Sequence, residues 1–286
     1  MKKMQYKRFT RSKLGNFFYF FFLGLMGFFT LIPMLYMIIT SFKPLDELLI
    51  FPPRFFVVRP TFANYLAIPS LLSGMKIPLS RYVFNSVFVA LISTIFQIFF
   101  GSMAAFVISK TNLRGVKVLF LIIQFSLLYN GQTLAIPQYI IFSNLKIINT
   151  YWVYILPAVQ SSLSVFLFKQ YIDASIPDAL MEAARIDGAN LTTIYWRILM
   201  PNIKPAWMTV GLFGFQAIWS LQPQGTVFNE ELRTLPSVLA QISVGGIARS
   251  GSAMAATVLL MIPPILVYLI SQSNIMETMN SAGIKD

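Results

Sequence analysis

Six stretches of this chain are too apolar and too long for a small water-soluble fold. They cover residues 17–40, 82–108, 118–142, 151–171, 205–221 and 251–272. A bilayer core is crossed by ~20 apolar residues in helical form, with a lower limit of ~17. Lipid offers no hydrogen-bond partners, so the backbone must satisfy itself within each run, and helices do that. The expectation is therefore an all-α membrane protein with six transmembrane helices in a single domain over residues 1–286. Composition agrees: 56% of residues are hydrophobic and 11% charged, against ~25% charged in soluble domains. The first run follows a basic head, as a signal peptide would. Its length exceeds the ~7–15 residues of a signal core, and no small-residue cleavage site closes it. It reads as an uncleaved first span, bent by Pro33.

Six spans put both ends of the chain on one side. With the N-terminus in the cytoplasm, 14 of the 22 lysines and arginines face inward: those of the head, Lys110, Arg114, Lys117, the 169–204 region and Lys285. Five of the remaining eight sit in the long first outer loop, where the positive-inside rule acts weakly. The net charge of +12 thus reads as basic cytoplasmic loops at a plasma membrane, not as a nucleic-acid surface.

Much chemistry is excluded. The chain has no cysteine and no histidine, so disulfides, the familiar Cys/His metal sites and Cys–His or Ser–His–Asp catalysis are absent. No G-x-x-x-x-G-K-[ST] occurs, so any ATP chemistry belongs to a partner. The adjacent carboxylates Asp46/Glu47 and Glu230/Glu231 fall in outer loops and read as solvated charges. No charge lies near the middle of a span, which argues against a proton- or ion-coupled carrier. Neutral polar and aromatic groups occur there instead, among them Gln97, Gln124, Tyr129, Asn130, Gln132, Gln138, Ser161, Ser164, Gln216 and Trp219. Amides and aromatic faces suit a sugar, although such groups also bond between helices. Of these, Gln124, Tyr129, Asn130, Gln132, Ser164 and Gln216 are the candidate lining of a substrate path. Gly101 with Ala105, and Gly211 with Gly214, suggest tight helix packing.

The most polar stretch between the spans is Ser175–Lys204. Its spacing predicts two short helices and a hinge. Ser175, Pro177 and Asp178 form a helix start. On the helix that follows, Asp178, Glu182 and Arg185 share one face, and Leu180, Ala183 and Ala184 the opposite one. Asp187-Gly188 stops it. Leu191, Ile194, Tyr195 and Ile198 make the apolar stripe of a second helix, ended at Pro201 and Pro205. The pattern alone fits either an element that docks in another protein's groove or an amphipathic loop on the membrane surface.

E-A-A-R-I-D-G-A-N followed by I-L-M-P resembles the EAA loop of binding-protein-dependent ABC importer permeases, in the form found in carbohydrate importers. Glu182, Ala183 and Ala184 match its E-A-A. Asp187, Gly188 and Ala189 continue it, and Ile198, Leu199 and Pro201 close it, with I-L-M-P where I-x-L-P is usual. T-F-A-N-Y-L after the first span also resembles the family. The likeness covers nearly the whole chain, in the manner of the second permease of a maltose-type system. It implies a type I importer permease fold, with Glu182, Ala183, Ala184, Arg185, Asp187 and Gly188 in cytoplasmic coupling helices. The implied partners are a second permease, giving a heterodimer, a cytoplasmic ATPase dimer carrying ATP and Mg, and an extracellular or periplasmic sugar-binding protein. No cofactor is implied in this chain, and no catalysis. The outer loop Gln222–Ser250 is expected to meet the binding protein through Asn229, Glu230, Glu231 and Arg233. N-E-E-L-R-T-L-P-S-V-L and the ending S-A-G-I-K-D resemble the branch that handles larger oligosaccharides, pectin-derived ones among them. The usual W-N-D-F-type motif is replaced by I-W-S-L-Q-P-Q-G. Other solutes of ABC importers, such as amino acids, polyamines or phosphate, remain open on the EAA segment alone, as does a standalone carrier.

Overall fold

The computed structural model describes residues 13–282 apart from 73–76, 112, 130, 132 and 224. Every regular element among these is helical. In chain order they are α1 (Lys13–Ser41), α2 (Leu45–Leu48), α3 (Ala63–Leu71), α4 (Leu79–Lys110), α5 (Val116–Ser126), α6 (Ala135–Asn144), α7 (Trp152–Val159), α8 (Ser162–Ser175), α9 (Asp178–Ile186), α10 (Leu191–Thr193), α11 (Met200–Asn202), α12 (Lys204–Trp219), α13 (Leu235–Ser243) and α14 (Ser250–Ala282). A π-helical turn, Ile194–Leu199, joins α10 to α11.

Four stretches are long and apolar enough to cross a membrane: Leu14–Ser41, Leu79–Lys110, Trp152–Ser175 and Ser250–Gln272. They coincide with the first, second, fourth and sixth predicted spans. The third predicted span is divided between two helices, α5 ending at Ser126 and α6 beginning at Ala135. The fifth is α12, only 16 residues long. The fourth is also interrupted: α7 ends at Val159 and Ser161 caps α8, its hydroxyl accepting from the Ser164 amide. Ser161 is the local cause at the new start, since its hydroxyl offers the amides of the next helix an acceptor.

The chain forms two units by its internal contacts, residues 1–68 with 245–258, and residues 69–244 with 259–286. In the first unit the loop after α1 folds back on itself. The Asn64 side-chain amide donates to the carbonyls of Ser41 (2.8 Å) and Lys43 (2.7 Å). Gly251 lies against that same Asn64 side chain, with no room for a Cβ. Glu47, expected to be a solvated charge, is buried here. Its carboxylate accepts from the backbone amides of Val58 (2.9 Å) and Arg59 (3.3 Å). The folded loop has donors to satisfy, and a buried carboxylate satisfies two of them.

In the second unit α4 is the central strut, packed against α7, α8, α12 and α13. Its side chains explain the approach. A Cβ on Gly101 would come within 3.2 Å of Ser164 Cβ, and one on Gly214 within 2.3 Å of Gln97 Oε1. Those glycines let α8 and α12 close on α4, as the small-residue pattern predicts. The polar groups at the seam then pair: Gln97 Nε2 donates to Ser164 Oγ (2.5 Å), which donates to Ser161 Oγ (3.0 Å). Between α12 and α14 the structure departs from the polar loop expected over Gln222–Ser250. It contains α13, whose Val238, Leu239 and Ile242 are buried. The spacing Leu235, Val238, Leu239, Ile242 is a helical stripe that the sequence carries openly.

Candidate functional site

The hinged segment sits on an apolar floor. Met181, Ala184, Ile194, Tyr195, Leu199 and Ile203 form one cluster with Ala105 and Phe106 of α4, Phe168 and Ile172 of α8, and Ala206 and Val210 of α12. Burial turns α9 differently from the expected arrangement. Met181 and Ala184 face inward, while Ala183 is exposed and Leu180 is 40% exposed. One residue of offset is 100° of rotation, and the larger apolar surface of Met181 takes the inner position. The charged face survives: Asp178, Glu182 and Arg185 are all exposed, as is Asp187 at the helix C-cap. Ile186 stands beside them, 86% exposed.

The helix start also differs. Ser175 is the last residue of α8, Ile176 and Pro177 form an extended link, and α9 begins at Asp178 without a side-chain cap. Lys110, at the C-terminus of α4, holds this junction. Its Nζ donates to the Ile176 carbonyl (2.6 Å) and to Asp178 Oδ1 (2.7 Å). The hydrogen bond and charge of Lys110 keep the Asp178 carboxyl below the usual carboxylate range. Lys110 and its role were not legible in advance, because its partners are 66 and 68 residues away.

At the other end of α9 the stop signal is borne out in detail. Gly188 has φ +80°. Its amide donates to the Arg185 carbonyl (3.0 Å) and the Ala189 amide to the Ala184 carbonyl (2.9 Å), the two bonds of a Schellman motif. Asn190 then caps α10, its Oδ1 accepting from the Thr193 amide at 2.7 Å. The second helix is not regular: its middle is the π turn Ile194–Leu199. Pro201 lacks the amide that an α-helix would direct at Arg197, and its ring would crowd that carbonyl. A wider turn just before it relieves both problems. Asn202 Nδ2 meanwhile donates to the Ile198 carbonyl (2.7 Å). Of the expected stripe, Ile194 and Tyr195 are buried, Ile198 is half-buried and Leu191 is 55% exposed. Tyr195 is fixed to α4 by a hydrogen bond between its hydroxyl and Ser102 Oγ (2.7 Å). Burial raises its phenol pKa, partly offset by that hydrogen bond.

The candidates between α12 and α13 are strapped down rather than loose. Asn85 is fully buried. Its amide nitrogen donates to the Glu231 (2.7 Å) and Arg233 (2.8 Å) carbonyls, and its oxygen accepts from the Tyr151 hydroxyl (2.7 Å). The Tyr82 hydroxyl donates to Glu230 Oε1 (3.1 Å), which is therefore not a purely solvated charge. Asn229 is exposed, and its Oδ1 accepts from the Glu231 amide (3.1 Å). The backbone amides of Phe228 and Asn229 both donate to Asn149 Oδ1 (3.1 and 2.7 Å).

Among the described residues picked for a substrate path, no side-chain hydrogen bond joins one to another. Ser164 is consumed in the Gln97–Ser161 network between α4 and α8. Gln124 and Gln216 are half-buried on α5 and α12, and Tyr129 is 66% exposed after α5. Asn130 and Gln132 lie outside the described residues.

No family model matches the chain. It is 31% identical over 261 residues to the sulfoquinovosyl glycerol transport system permease protein SmoH of Agrobacterium fabrum, covering 89% of each protein. It is 27% identical over 275 residues to the polygalacturonan/rhamnogalacturonan transport system permease protein YtcP of Bacillus subtilis, covering 90% of this chain and 93% of that one. Among solved structures, a chain from a bacterial ABC transporter involved in import of the acidic polysaccharide alginate superposes with TM-score 0.74 at 22% identity. The match covers 92% of this chain and 98% of that one and shows the fold.

Proposed function

The chain belongs to the permease proteins of carbohydrate ABC transporters, and from that premise we propose that it is the subunit through which a sugar importer couples ATP hydrolysis to an opening across the membrane. It is an integral membrane protein. In this reading α5–α6 and α12 complete six spans with the four long helices, and both termini are cytoplasmic. A second permease completes the pathway, and a cytoplasmic ATPase dimer with ATP and Mg supplies the energy. A sugar-binding protein outside delivers the solute to the loop bearing Asn229, Glu230, Glu231 and Arg233. This chain itself does no covalent chemistry.

The observation that carries the coupling role is the two-sided character of α9. Its inner side is fixed to α4, α8 and α12 through the apolar floor and Lys110. Its outer side offers Glu182, Ala183, Arg185, Ile186 and Asp187 to whatever lies below. An ATPase groove that closes on that face moves the floor with it, and the membrane helices follow. Sugar enters in the outward-open state and leaves after hydrolysis resets the inward one.

The test is Glu182→Lys. The side chain is exposed and makes no ion pair among the described residues, so folding should change by less than about 0.5 kcal/mol. Reversing one charge of a docked pair costs far more, ~2–5 kcal/mol for a desolvated partner left unpaired. The variant should therefore insert normally, lose sugar uptake and lose ATPase on co-purification. Normal uptake with normal co-purification would mean that α9 is only a surface helix.

A further inference from the structure

The last long helix carries two consecutive prolines. Pro263 and Pro264 lie inside α14, near the middle of its apolar stretch Ser250–Gln272. Neither has an amide hydrogen, so the carbonyls four residues earlier, those of Leu259 and Leu260, lose their helical donors. Lipid supplies no replacement; in a membrane helix a freed carbonyl is satisfied by a neighbouring helix, a side chain or an ordered water. For Leu260 the replacement is Trp219, whose indole Nε1 donates to the Leu260 carbonyl at 3.0 Å. A buried indole N–H usually finds an acceptor in any fold. This one takes the carbonyl that a proline has vacated, where α14 has the fewest backbone bonds to hold it straight.

Trp219 is the last residue of α12 and only 5% exposed. Its ring stacks on Phe215, one turn earlier, with centroids 5.7 Å apart. Leu260 and Val267 of α14 pack against the same apolar cluster. At the opposite end of α12, Ala206 and Val210 belong to the apolar floor beneath α9. A helix of 16 residues spans about 24 Å, so one short element runs from that floor to the proline pair. Breaking the Trp219 bond inside lipid would leave a donor and an acceptor unpaired, which is costly. Bending α14 where two helical bonds are already missing costs less. A displacement of α12 therefore bends α14 before it breaks the bond.

We propose that Trp219 is a positioning residue of the transport cycle: its bond to the Leu260 carbonyl passes the movement of α12 to α14, which bends at Pro263–Pro264. The inference rests on the coupling reading of α9 and extends it from the apolar floor to the last membrane helix.

The experiment uses the full chain assembled in nanodiscs with its second permease and ATPase. The chain has no cysteine, so Leu91→Cys on α4 and Ile270→Cys on α14, both exposed in the chain, can be spin-labelled cleanly before assembly. Electron paramagnetic resonance then reads the distance between the labels with and without Mg-ATP and vanadate, which trap the ATPase. Trapping should change that distance in the native chain. Trp219→Phe, which keeps a ring and removes the donor, should lose most of the change with ATPase co-purification intact. Pro264→Ala returns a backbone donor to the Leu260 carbonyl and stiffens α14. It should lose the change too, with thermal unfolding unchanged or raised. The loss of thermal stability from Trp219→Phe should be smaller in the Pro264→Ala background than in the native one. The space left by the smaller ring is common to both backgrounds, so the difference isolates the bond. A full distance change in either single variant overturns the proposal, and so does an equal loss of stability in the two backgrounds. A native chain that holds its ATPase yet shows no distance change also overturns it and leaves the importer reading standing. A native chain that recruits no ATPase removes that reading as well.

Discussion

Gly188 offers the cleanest test of whether the angle between α9 and the π-turn helix matters. A Cβ placed there meets no heavy atom within 4 Å. Substitution therefore creates no clash, and the whole cost comes from φ +80°. A left-handed conformation costs an L-residue roughly 1–2 kcal/mol. Asparagine pays less, because its side chain bonds locally, and a β-branched residue pays more. Each 1.4 kcal/mol is about tenfold in population, so Gly188→Ala should reduce the native turn five- to thirtyfold relative to its unwound alternatives, Gly188→Asn less and Gly188→Val more. What unwinds is the pair of bonds from Gly188 to Arg185 and from Ala189 to Ala184. The docking face of α9 and its apolar floor stay intact. Uptake in proteoliposomes should thus fall in the order Gly, Asn, Ala, Val, while ATPase co-purification is retained and ATP is hydrolysed without matching transport. Equal uptake in Gly188→Val and the native chain would refute the lever argument. Equal loss in all three variants would refute the dihedral as its cause.

The remaining predictions concern the junction above α9 and the outer loop. Lys110→Met should cost about 1–3 kcal/mol of stability, because it leaves the Ile176 carbonyl without its donor; thermal unfolding of the purified chain measures it. Asp178→Asn should cost much less, since that side chain is 83% exposed. The Asp178 carboxyl is held down in the folded state, so its contribution is full above the ordinary carboxylate value of ~3.9 and lost as pH falls through its lower folded value. The stability difference between the native chain and Asp178→Asn should therefore be flat from about pH 5 to 8 and vanish only in stronger acid; a difference that changes across neutral pH would contradict the Lys110 contact. Asn229→Cys should be labelled by an impermeant thiol reagent in intact cells, with no background because the chain has no other cysteine, and adding binding protein should protect it. Labelling only in inside-out vesicles would invert the topology.

Some of this was decided locally, and the sequence carried it alone. Apolar runs of bilayer length dictate helices because lipid leaves the backbone no other partner, and four of the six appear as long apolar stretches. Gly188 stops α9 because only a residue without Cβ enters the left-handed region freely, and the charged face of α9 follows from helical period. The small residues Gly101 and Gly214 announced close packing before their neighbours were known. The rest depends on partners distant in the chain. Lys110 is a basic loop residue until folding brings Ile176 and Asp178 to it. Asn85 is a polar residue in an apolar run until the Glu231 and Arg233 carbonyls arrive 146 and 148 positions later. The Ser164 hydroxyl accepts from Gln97 and donates to Ser161, and the Gln97 partner, 67 positions away, could not be read from spacing. Met181 rather than Ala183 faces the floor because the floor is built from α4, α8 and α12, and burial there, not the symmetry of the E-A-A pattern, sets the rotation of α9. Local signals fix which residues turn, stop and cap; hydrogen bonds and apolar area gained across long separations decide which polar groups are spent on the fold and which stay free for a ligand.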